Sequence, residues 1–240
     1  MRIKREGSIY QLSFMPHFFP VNCYFVEEDD GLTLVDAALP YSDKAILKAA
    51  QNLGKPIARI VLTHAHDDHV GALDSLTQQL PHVPIYISKR EIRLMAGDKS
   101  LDQHEPQTPI RGGVPKKLKT RANILVSEGD QIGSLLAIST PGHTPGHMAF
   151  LDTRDHALIA GDAYQTRTGV TVVNQLKLSF PFPSLATWNK QAALQSAQKL
   201  LEYQSSLLAV GHGEMIRNPV EEMKRALVES ERAEERSNKL

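Results

Sequence analysis

The nine residues THAHDDHVG (63–71) constrain the fold of this chain more than any other stretch of its sequence. They follow a β-branched run typical of a buried strand, so a cluster of ionisable side chains stands at a strand end. His64 and His66 are two positions apart and therefore leave the same face of the chain. Asp68 and His69 come just after the turn, where the chain can fold back over an ion. Because imidazole and carboxylate groups bind Zn²⁺ and similar ions, this spacing indicates a metal site rather than isolated structural histidines.

Three further turns place potential ligands at the carboxyl ends of predicted strands. TPGHTPGH follows LLAIS, GDA follows ALIA and GHG follows LLAV, which puts His143, Asp162 and His212 at those ends. Glycines flank each of the three and allow the backbone to approach an ion closely. Since a sheet brings the ends of its strands together, we expect these turns to join THAHDDH in one composite site.

Predicted strands and helices alternate along the chain, which indicates an α/β layer architecture. The two halves share this rhythm, the first ending near residue 120, and two similar halves packed sheet against sheet are consistent with it. The length fits one large domain, and we predict a single domain over 1–240. Strands are expected at 2–12, 22–28, 32–37, 58–64, 83–88, 123–129, 135–140, 148–152, 157–162 and 207–213, and helices at 42–53, from 71, at 89–97, at 184–203 and from 219.

Charge and composition limit the classes of binding partner and the cellular compartment that we expect. Acidic and basic residues balance at 27 each, so no nucleic-acid or membrane partner is expected. The single cysteine, Cys23, excludes a disulfide framework, fits a reducing cytoplasm and is predicted to be buried. No apolar run reaches the roughly 18 residues of a membrane span, and the N-terminus lacks a signal peptide's apolar core. We therefore expect a cytoplasmic protein with a small-molecule substrate, either a monomer or a homodimer.

The motifs THAHDDH, PGHTPGH, GDA and GHG, in this order, resemble those of the metallo-β-lactamase superfamily, and NCYFV followed by LVDA resembles its opening strands. The resemblance runs from about residue 20 to residue 213. It implies an αββα sandwich of two similar halves, with two divalent ions at the edge between the sheets: Zn²⁺ first, with Fe or Mn as alternatives. It assigns His64, His66 and His143 to the first ion, Asp68, His69 and His212 to the second, and Asp162 to both.

The complete ligand set implies hydrolysis by a hydroxide that bridges the two ions. True β-lactamases usually replace the residue after the aspartate and use a cysteine at the second metal. Here His69 is present and Cys23 lies far upstream, so antibiotic hydrolysis is not expected. The branches of the superfamily with a full ligand set include glyoxalase II thioesterases, N-acyl homoserine lactonases and tRNA-processing phosphodiesterases.

Several features of the sequence favour some of these branches over others as the source of this chain's activity. Only 28 residues follow His212, which counts against the glutathione-binding helical domain of glyoxalase II. The neutral charge counts against an RNA substrate. The prediction is cleavage of a carboxylic ester or lactone, as in the N-acyl homoserine lactonases, and a glyoxalase II-like thioester hydrolase is the alternative. A mono-iron persulfide dioxygenase and a non-enzymatic metal-binding scaffold rank lower.

Other polar residues receive individual predictions. Asp68 is expected to orient the hydroxide and carry its proton to the leaving group. Tyr164, two residues after Asp162, is a candidate oxyanion donor, and a packing role is its alternative. His147 is expected to support the turn that carries His143. Four histidines that match no ligand turn are expected at the surface: His17, His82, His104 and His156.

The segment 98–121 shows no periodicity and is long for a structureless loop, so it is either functional or mobile. Its basic run RGGVPKKLKTR (111–121) suits an anionic substrate or, as we favour, a solvated surface.

Two apolar segments contain prolines that disfavour regular strand or helix: FMPHFFPV and LSFPFPS. In the lactonases that the motifs resemble, the first hairpin loop borders the metals, so these segments are expected to form an acyl-binding pocket. Packing over the sheet edges is the alternative. The residues predicted to bind substrate are Phe14, Met15, Phe18, Phe19, Phe180 and Phe182.

Overall fold

Alternating short strands and helices build two β-sheets in the computed structural model, which describes residues 1–237. The first sheet comprises β1 Arg2–Glu6, β2 Ile9–Phe14, β3 Val21–Glu28, β4 Gly31–Val35, β5 Ile57–Val61, β6 Ile85–Ser88 and β7 Ile124–Val126. These strands lie in the order of the chain. Strands β1 to β4 are antiparallel hairpins, whereas β4 to β7 run parallel.

The second sheet comprises β8 Gln131–Ile132, β9 Leu135–Ser139, β10 Met148–Asp152, β11 Ala157–Ile159, β14 Leu207–Ala209 and β15 Ile216–Arg217. Its order is β15-β14-β11-β10-β9-β8, and β12 Tyr164–Gln165 pairs separately with β13 Thr171–Val172. Because β10 is antiparallel to both β9 and β11, and β11 is parallel to β14, the carboxyl ends of β9, β11 and β14 meet at one edge.

Helices cover the outer face of each sheet. The helices of the chain are α1 Asp43–Leu53, α2 Asp67–Val70, α3 Leu73–Gln79, α4 Ile92–Met95, α5 Phe182–Ala186, α6 Lys190–Glu202 and α7 Val220–Ser237. Helices α1, α3 and α4 pack on the first sheet, and α6 and α7 pack on the second. The architecture is therefore the predicted αββα sandwich. No helix within residues 1–237 combines the length and the apolar character needed to cross a lipid bilayer.

Alternate side chains along a strand of the first sheet point either to the helices or to the second sheet. In β3, Cys23 and Phe25 face the helices, while Tyr24 and Val26 face the second sheet, as alternation along a strand requires. Between the sheets the latter pair joins a buried cluster that includes Phe150 of β10. The prediction that Cys23 is buried is confirmed.

Several boundaries differ from the sequence-based expectation. The strand predicted over 2–12 is two strands, because the chain turns at Gly7, whose φ of 58° suits glycine. The first half extends to Val126, where β7 ends, rather than to residue 120. The helix predicted over 184–203 is α5 followed by α6, since the chain is extended at Thr187 and Asn189 caps α6 by accepting a hydrogen bond from Ala192.

Candidate metal centre

The seven predicted ligands lie together at the edge where the two sheets meet. The backbone at this edge is itself joined across the sheets, because the carbonyl of Thr63 accepts a hydrogen bond from the amide of Met148 at 2.9 Å. Potential ligand atoms form overlapping groups in which all atoms lie within 4.8 Å of one another. The groups are His64 with His66 and His143, His64 with His69 and Asp162, and Asp68 with His69 and His212.

The carboxylate of Asp162 lies at the centre of this cluster. Its Oδ1 is 3.5 Å from Nε2 of His69, and its Oδ2 is 3.3 Å from Nε2 of His143 and 3.1 Å from Nε2 of His212. Nε2 of His212 also lies 3.5 Å from Oδ2 of Asp68. One carboxylate thus faces His143, a predicted ligand of the first ion, and also His69 and His212, predicted ligands of the second, as a bridging ligand must.

The outer ring nitrogen of each of the five histidines faces an acceptor. In a neutral imidazole such a bond fixes the tautomer, and in all five rings it directs the other nitrogen at the centre of the cluster. The partners are Oγ1 of Thr63 for His64 (3.0 Å), the carbonyl of Arg111 for His66 (3.0 Å), Oδ2 of Asp36 for His69 (2.8 Å), Oγ1 of Thr187 for His143 (3.2 Å) and the carbonyl of Pro20 for His212 (2.7 Å).

Three of the inward-facing atoms are buried without a hydrogen-bond partner among residues 1–237: Nε2 of His64, Nε2 of His69 and Oδ1 of Asp162. Buried polar atoms are rarely left unsatisfied, so several at one point indicate a missing partner. All three are potential lone-pair donors that face one another. The residues present therefore fit a pair of divalent ions.

Electrostatics distinguish the ligands predicted for the first ion, His64, His66 and His143, from those predicted for the second, Asp68, His69 and His212. In the first set, burial lowers the pKa of His64 and His143 well below the usual range and also lowers the pKa of His66. These three imidazoles are neutral and ready to bind a metal, because desolvation penalises the charged form.

For the histidines predicted to bind the second ion, nearby carboxylates outweigh burial and raise the pKa. Burial by itself lowers the pKa of His69, but Asp162, Asp36 and Asp68 outweigh it and raise the pKa to about 10. Asp162 and Asp68 likewise raise the pKa of His212 against the effect of burial. The carboxylates thus hold protons at the positions where a second ion would bind.

Asp36 contacts the predicted ligand His69, although the sequence patterns did not single it out. Its Oδ1 accepts from the amide of Thr63 at 2.8 Å, and its Oδ2 accepts from Oγ1 of Thr63 at 2.8 Å and from Nδ1 of His69. Asp36 follows β4, which pairs in parallel with β5, so its carboxylate reaches the motif after the neighbouring strand. The available signal was an aspartate directly after a β-branched strand, the same pattern that marks Asp162.

Two buried residues tie the ligand turns to each other. His147 donates from Nδ1 to Oγ1 of Thr140 at 2.8 Å, and its Nε2 accepts from the amide of Asp162 at 3.0 Å. It therefore supports Asp162 as well as its own turn. Glu91 accepts from the amides of Ala65 and Gly146, both at 3.0 Å, and so joins the first ligand motif to the second, TPGHTPGH.

A cavity of about 460 Å³ opens onto this cluster. Beside ligand residues, its walls are apolar side chains and two glycines, and Asp67 is the remaining charged residue. None of its lining residues is Lys or Arg. The residues that line it are Phe19, Leu39, Pro40, His66, Asp67, Asp68, Gly112, Gly113, His143, Asp162, Phe182, Pro183, Leu185, Ala186 and His212.

The six predicted substrate-binding residues divide into three groups. Phe19 and Phe182 line the cavity, with ring centroids 5.0 Å apart, and Phe19 lies 5.3 Å from the ring of His212. Phe180 is buried behind them, 5.3 Å from Phe19. It supports this wall from behind.

The structure places the remaining three residues away from the walls of this cavity. Phe14 ends β2 and packs in the core under the helices, because the strand continues further than the following proline suggested. Met15 and Phe18 are 45% and 84% exposed and do not line the cavity. They project outward from the turn after β2.

The structure also corrects the oxyanion role considered for Tyr164. Its hydroxyl donates to the carbonyl of Ala197 in α6 at 2.8 Å, and the side chain is fully buried in the core beneath α6 and α7. Tyr164 therefore has the packing role that was its alternative. The four histidines expected at the surface are all exposed: His17, His82, His104 and His156.

Comparison with known proteins agrees with this geometry. The profile of the metallo-beta-lactamase superfamily matches residues 17–212. The chain is 56% identical to Uncharacterized protein YobT of Bacillus subtilis (strain 168), over 95% of this chain and 97% of that protein. It is 31% identical to the probable metallo-hydrolase YflN of the same strain, over 87% and 88% of the two chains. Among solved structures, TTHA1623 in a di-iron-bound form gives a TM-score of 0.63 at 26% identity, covering 88% of this chain and 96% of that one.

Proposed function

This chain belongs to the metallo-beta-lactamase superfamily, and from that premise we propose that it is a hydrolase that uses two divalent ions to cleave an uncharged carboxylic ester or lactone. One observation carries the proposal: a complete seven-residue ligand cluster opens into a cavity whose other walls are mainly apolar. The probable metallo-hydrolase YflN, a relative over most of the chain, supports the hydrolase assignment.

Two of the three groups of facing atoms match the two ligand sets that the sequence motifs imply, and the third, His64 with His69 and Asp162, spans both. His64, His66 and His143 would hold the first ion, Asp68, His69 and His212 the second, and Asp162 both. Such a pair of ions lowers the pKa of water towards about 7 and polarises a carbonyl oxygen. We propose Zn²⁺ because histidine and carboxylate ligands suit it, and the di-iron form of TTHA1623 makes iron the alternative.

Asp68 is the proposed proton carrier. It lines the cavity, its side chain is 27% exposed, and its Oδ2 lies 3.5 Å from Nε2 of His212. From this position the carboxylate would accept a proton from the attacking water and give it to the oxygen that leaves as the acyl C–O bond breaks. For a lactone, that oxygen stays attached to the product as a hydroxyl group.

The walls of the cavity support an apolar acyl group. Phe19 and Phe182 form one wall, and Leu39 and Leu185 also line the space. Each methylene group of substrate buried there would contribute up to about 0.8 kcal/mol. This apolar surface begins beside the ligand His212, so the chain of a bound ester would extend from the reacting carbonyl along the phenylalanines.

The same walls disfavour anionic substrates. β-Lactam antibiotics and glutathione thioesters carry carboxylates, which need cationic partners when they are removed from water. The residues that line this cavity supply no Lys or Arg, and Asp67 adds a further acidic group. The basic residues of 111–121 are exposed and do not line the cavity, which supports their interpretation as a solvated surface.

The proposal is tested with the purified chain loaded separately with Zn²⁺, Fe²⁺ or Mn²⁺. A matched set of substrates would keep the acyl chain constant and vary the bond: a lactone, an open-chain ester and an uncharged thioester. A β-lactam and a glutathione thioester provide anionic comparators. We expect kcat/KM to be highest for the uncharged ester or lactone.

Two outcomes would contradict parts of the proposal. A higher kcat/KM for the glutathione thioester than for its uncharged counterpart would overturn the substrate class. Absence of hydrolysis with every ion, in protein that binds two ions per chain, would overturn the hydrolase assignment itself.

A further inference from the structure

The segment 98–121, called the strap here, forms no helix or strand, and its Gly112 and Gly113 line the cavity over the metal cluster. It is fastened at several points along its length. Glu105 forms a two-pronged ion pair with Arg90, at 2.5 and 2.8 Å. Near the other end, the backbone and hydroxyl of Thr120 donate to Asp74 at 2.7 and 2.6 Å. These contacts make the strap a fixed element.

The middle of the strap is held against the second half of the chain by Trp188. The indole Nε1 of Trp188 donates to the carbonyl of Thr108 at 2.8 Å, and the hydroxyl of Thr108 donates to the carbonyl of Trp188 at 3.2 Å. Trp188 is itself fixed, because its amide donates to the carbonyl of the ligand His143 at 3.0 Å. The position of the strap is therefore coupled to the ligand turns.

Three residues beyond Thr108, the strap backbone contacts the first ligand motif directly. The carbonyl of Arg111 lies 3.0 Å from Nε2 of His66, and the carbonyl of Gly113 accepts from the amide of Asp67 at 2.7 Å. The other ring nitrogen of His66, Nδ1, lies 3.0 Å from Nε2 of His143. His66 thus faces the cluster through Nδ1, whereas the other four histidines face it through Nε2.

Gly112 makes this close approach possible. Its φ of 82° lies in the left-handed region. A Cβ at this position would overlap Nε2 of His66 and lie 2.5 Å from Cε1 of the same ring. Any side chain here would have to displace either the ring of His66 or the strap, and both are held by the contacts above.

We propose that the strap is a positioning element for His66: the carbonyl of Arg111 fixes the tautomer in which Nδ1 faces the first ion, and Gly112 allows the backbone to come close enough. This inference rests on the assignment of His66 as a metal ligand in the proposed function. It gives the irregular segment 98–121 a defined role, carried by backbone groups rather than by its basic side chains.

The first test is a direct measurement on the unmodified chain. Protein with ¹⁵N-labelled histidine would be loaded with Zn²⁺, and two-bond proton–nitrogen correlations would identify which ring nitrogen of each ligand carries a proton. We expect a proton on Nε2 for His66 and on Nδ1 for the other four ligands. A proton on Nδ1 of His66 would overturn the proposal, and this measurement needs no variant to fold.

The second test compares two glycine substitutions of matched backbone geometry. Gly112→Ala places a methyl group against His66, whereas Gly129 has a φ of 85° and no atom within 4 Å of the point that a methyl group would occupy, so Gly129→Ala imposes the same backbone strain without the overlap. Binding of Zn²⁺ would be measured by competition with a chromophoric chelator. We expect Gly112→Ala to bind its tighter ion at least about tenfold more weakly, as loss of an outer partner of a ligand does, and Gly129→Ala to match the unmodified chain.

The outcomes separate this inference from the proposed function. Equal metal affinity in the two folded variants would overturn the role of the strap and leave the hydrolase proposal standing. Failure of the unmodified chain to bind metal would remove both. If Gly112→Ala does not fold, Trp188→Phe replaces it, because this change removes the hydrogen bond from the indole to Thr108 and keeps the backbone amide of residue 188; unchanged metal affinity in Trp188→Phe would then overturn the role of the strap.

Discussion

Asp36 and His69 are joined by a hydrogen bond of 2.8 Å between Oδ2 and Nδ1, although 33 residues separate them in the sequence. This bond directs Nε2 of His69 towards Asp162, 3.5 Å from its Oδ1. An outer carboxylate of this kind both orients a metal-binding imidazole and increases its basicity. The geometry of the second ligand group therefore depends on a residue outside that group.

Replacing Asp36 with Asn is expected to weaken binding of the second ion by about 10- to 100-fold. The φ of Asp36 is 63°, a conformation that Asn also tolerates, so the backbone is preserved. The amide nitrogen, however, would face Nδ1 of His69 as a second donor in place of an acceptor. Chelator competition would measure both affinities, and equal losses at the two ions would contradict a specific effect on His69.

The two ions are expected to bind in a defined order with different pH dependence. Burial holds the pKa of His64 and His143 low, so the first ion meets neutral ligands, whereas the pKa of His69 is raised to about 10 and its proton must be displaced. Below that pKa, affinity for the second ion should fall by up to about tenfold per pH unit for each proton displaced. Elemental analysis at neutral pH should return two ions per chain.

Titration calorimetry in buffers of different ionisation enthalpy would count the protons released at each step. The second ion should release more protons than the first. Equal proton release, or a single ion per chain that added metal does not increase, would contradict this order.

Replacing Asp68 with Asn should lower kcat by at least about a hundredfold, because the amide cannot accept and return a proton. Thermal stability should change little, since the Asp68 side chain is 27% exposed. The neighbouring carboxylate provides the comparison: Asp67 also lines the cavity but belongs to none of the ligand groups. Asp67→Asn should lose less than about tenfold, and similar losses in the two variants would argue against a specific role for Asp68.

The dependence of kcat/KM on the length of the substrate's acyl chain should come from contacts with Phe19 and Phe182. In the unmodified chain, kcat/KM is expected to rise by up to about fourfold per added methylene group, equivalent to burial of that group. Phe19→Ala and Phe182→Ala should each reduce this rise while both ions remain bound. Phe18 is 84% exposed and does not line the cavity, so Phe18→Ala is the matched control. A flat chain-length profile in the unmodified chain would rule out an acyl-binding wall.

Glu91 should make stability depend on pH in a defined direction. Burial raises its pKa to about 7, although the amides of Ala65 and Gly146 favour the carboxylate. The folded state holds this proton more tightly than the unfolded state. The contribution of Glu91 to the free energy of unfolding is therefore largest at acidic pH and is lost as pH rises from about 4.5 to about 7. The slope is at most about 1.4 kcal/mol per pH unit.

The Glu91→Gln variant cannot titrate at this position. In metal-free protein, the free energy of unfolding of the unmodified chain minus that of Glu91→Gln should therefore decrease across this interval. Urea unfolding at several pH values would measure the difference. Parallel curves would show that Glu91 titrates at its ordinary pKa.

Sequence patterns predicted the layers and the placement of the ligand turns because both depend on local periodicity and on strand ends. His143, Asp162 and His212 each follow a strand, and the sheet brings these ends together. The orientation of Phe14 and Tyr164 was not predictable in the same way. Their direction depends on where β2 ends and on how α6 packs, which are tertiary properties.

The hydrogen-bond partners of the predicted metal ligands could not be predicted from local sequence patterns either. The bond from His66 to Arg111 joins residues 45 positions apart through a backbone carbonyl, and no residue type is required at position 111 to supply it. By contrast, Gly112 carries a sequence signal, since a glycine is needed where the chain passes against an imidazole ring. That signal becomes interpretable only when the ring is known to lie there.

The turn that carries His212 is hydrogen-bonded to side chains of β3. The side chain of Asn22 donates to the carbonyls of Val210 and Gly213 across separations of 188 and 191 residues, and the hydroxyl of Tyr24 donates to Val210 at 2.7 Å. Contacts of such range form slowly, because closing a long loop costs entropy before any contact repays it. During refolding, recovery of full metal affinity should therefore lag behind the recovery of secondary structure, because the metal centre is complete only when β3 and the turn after β14 have come together.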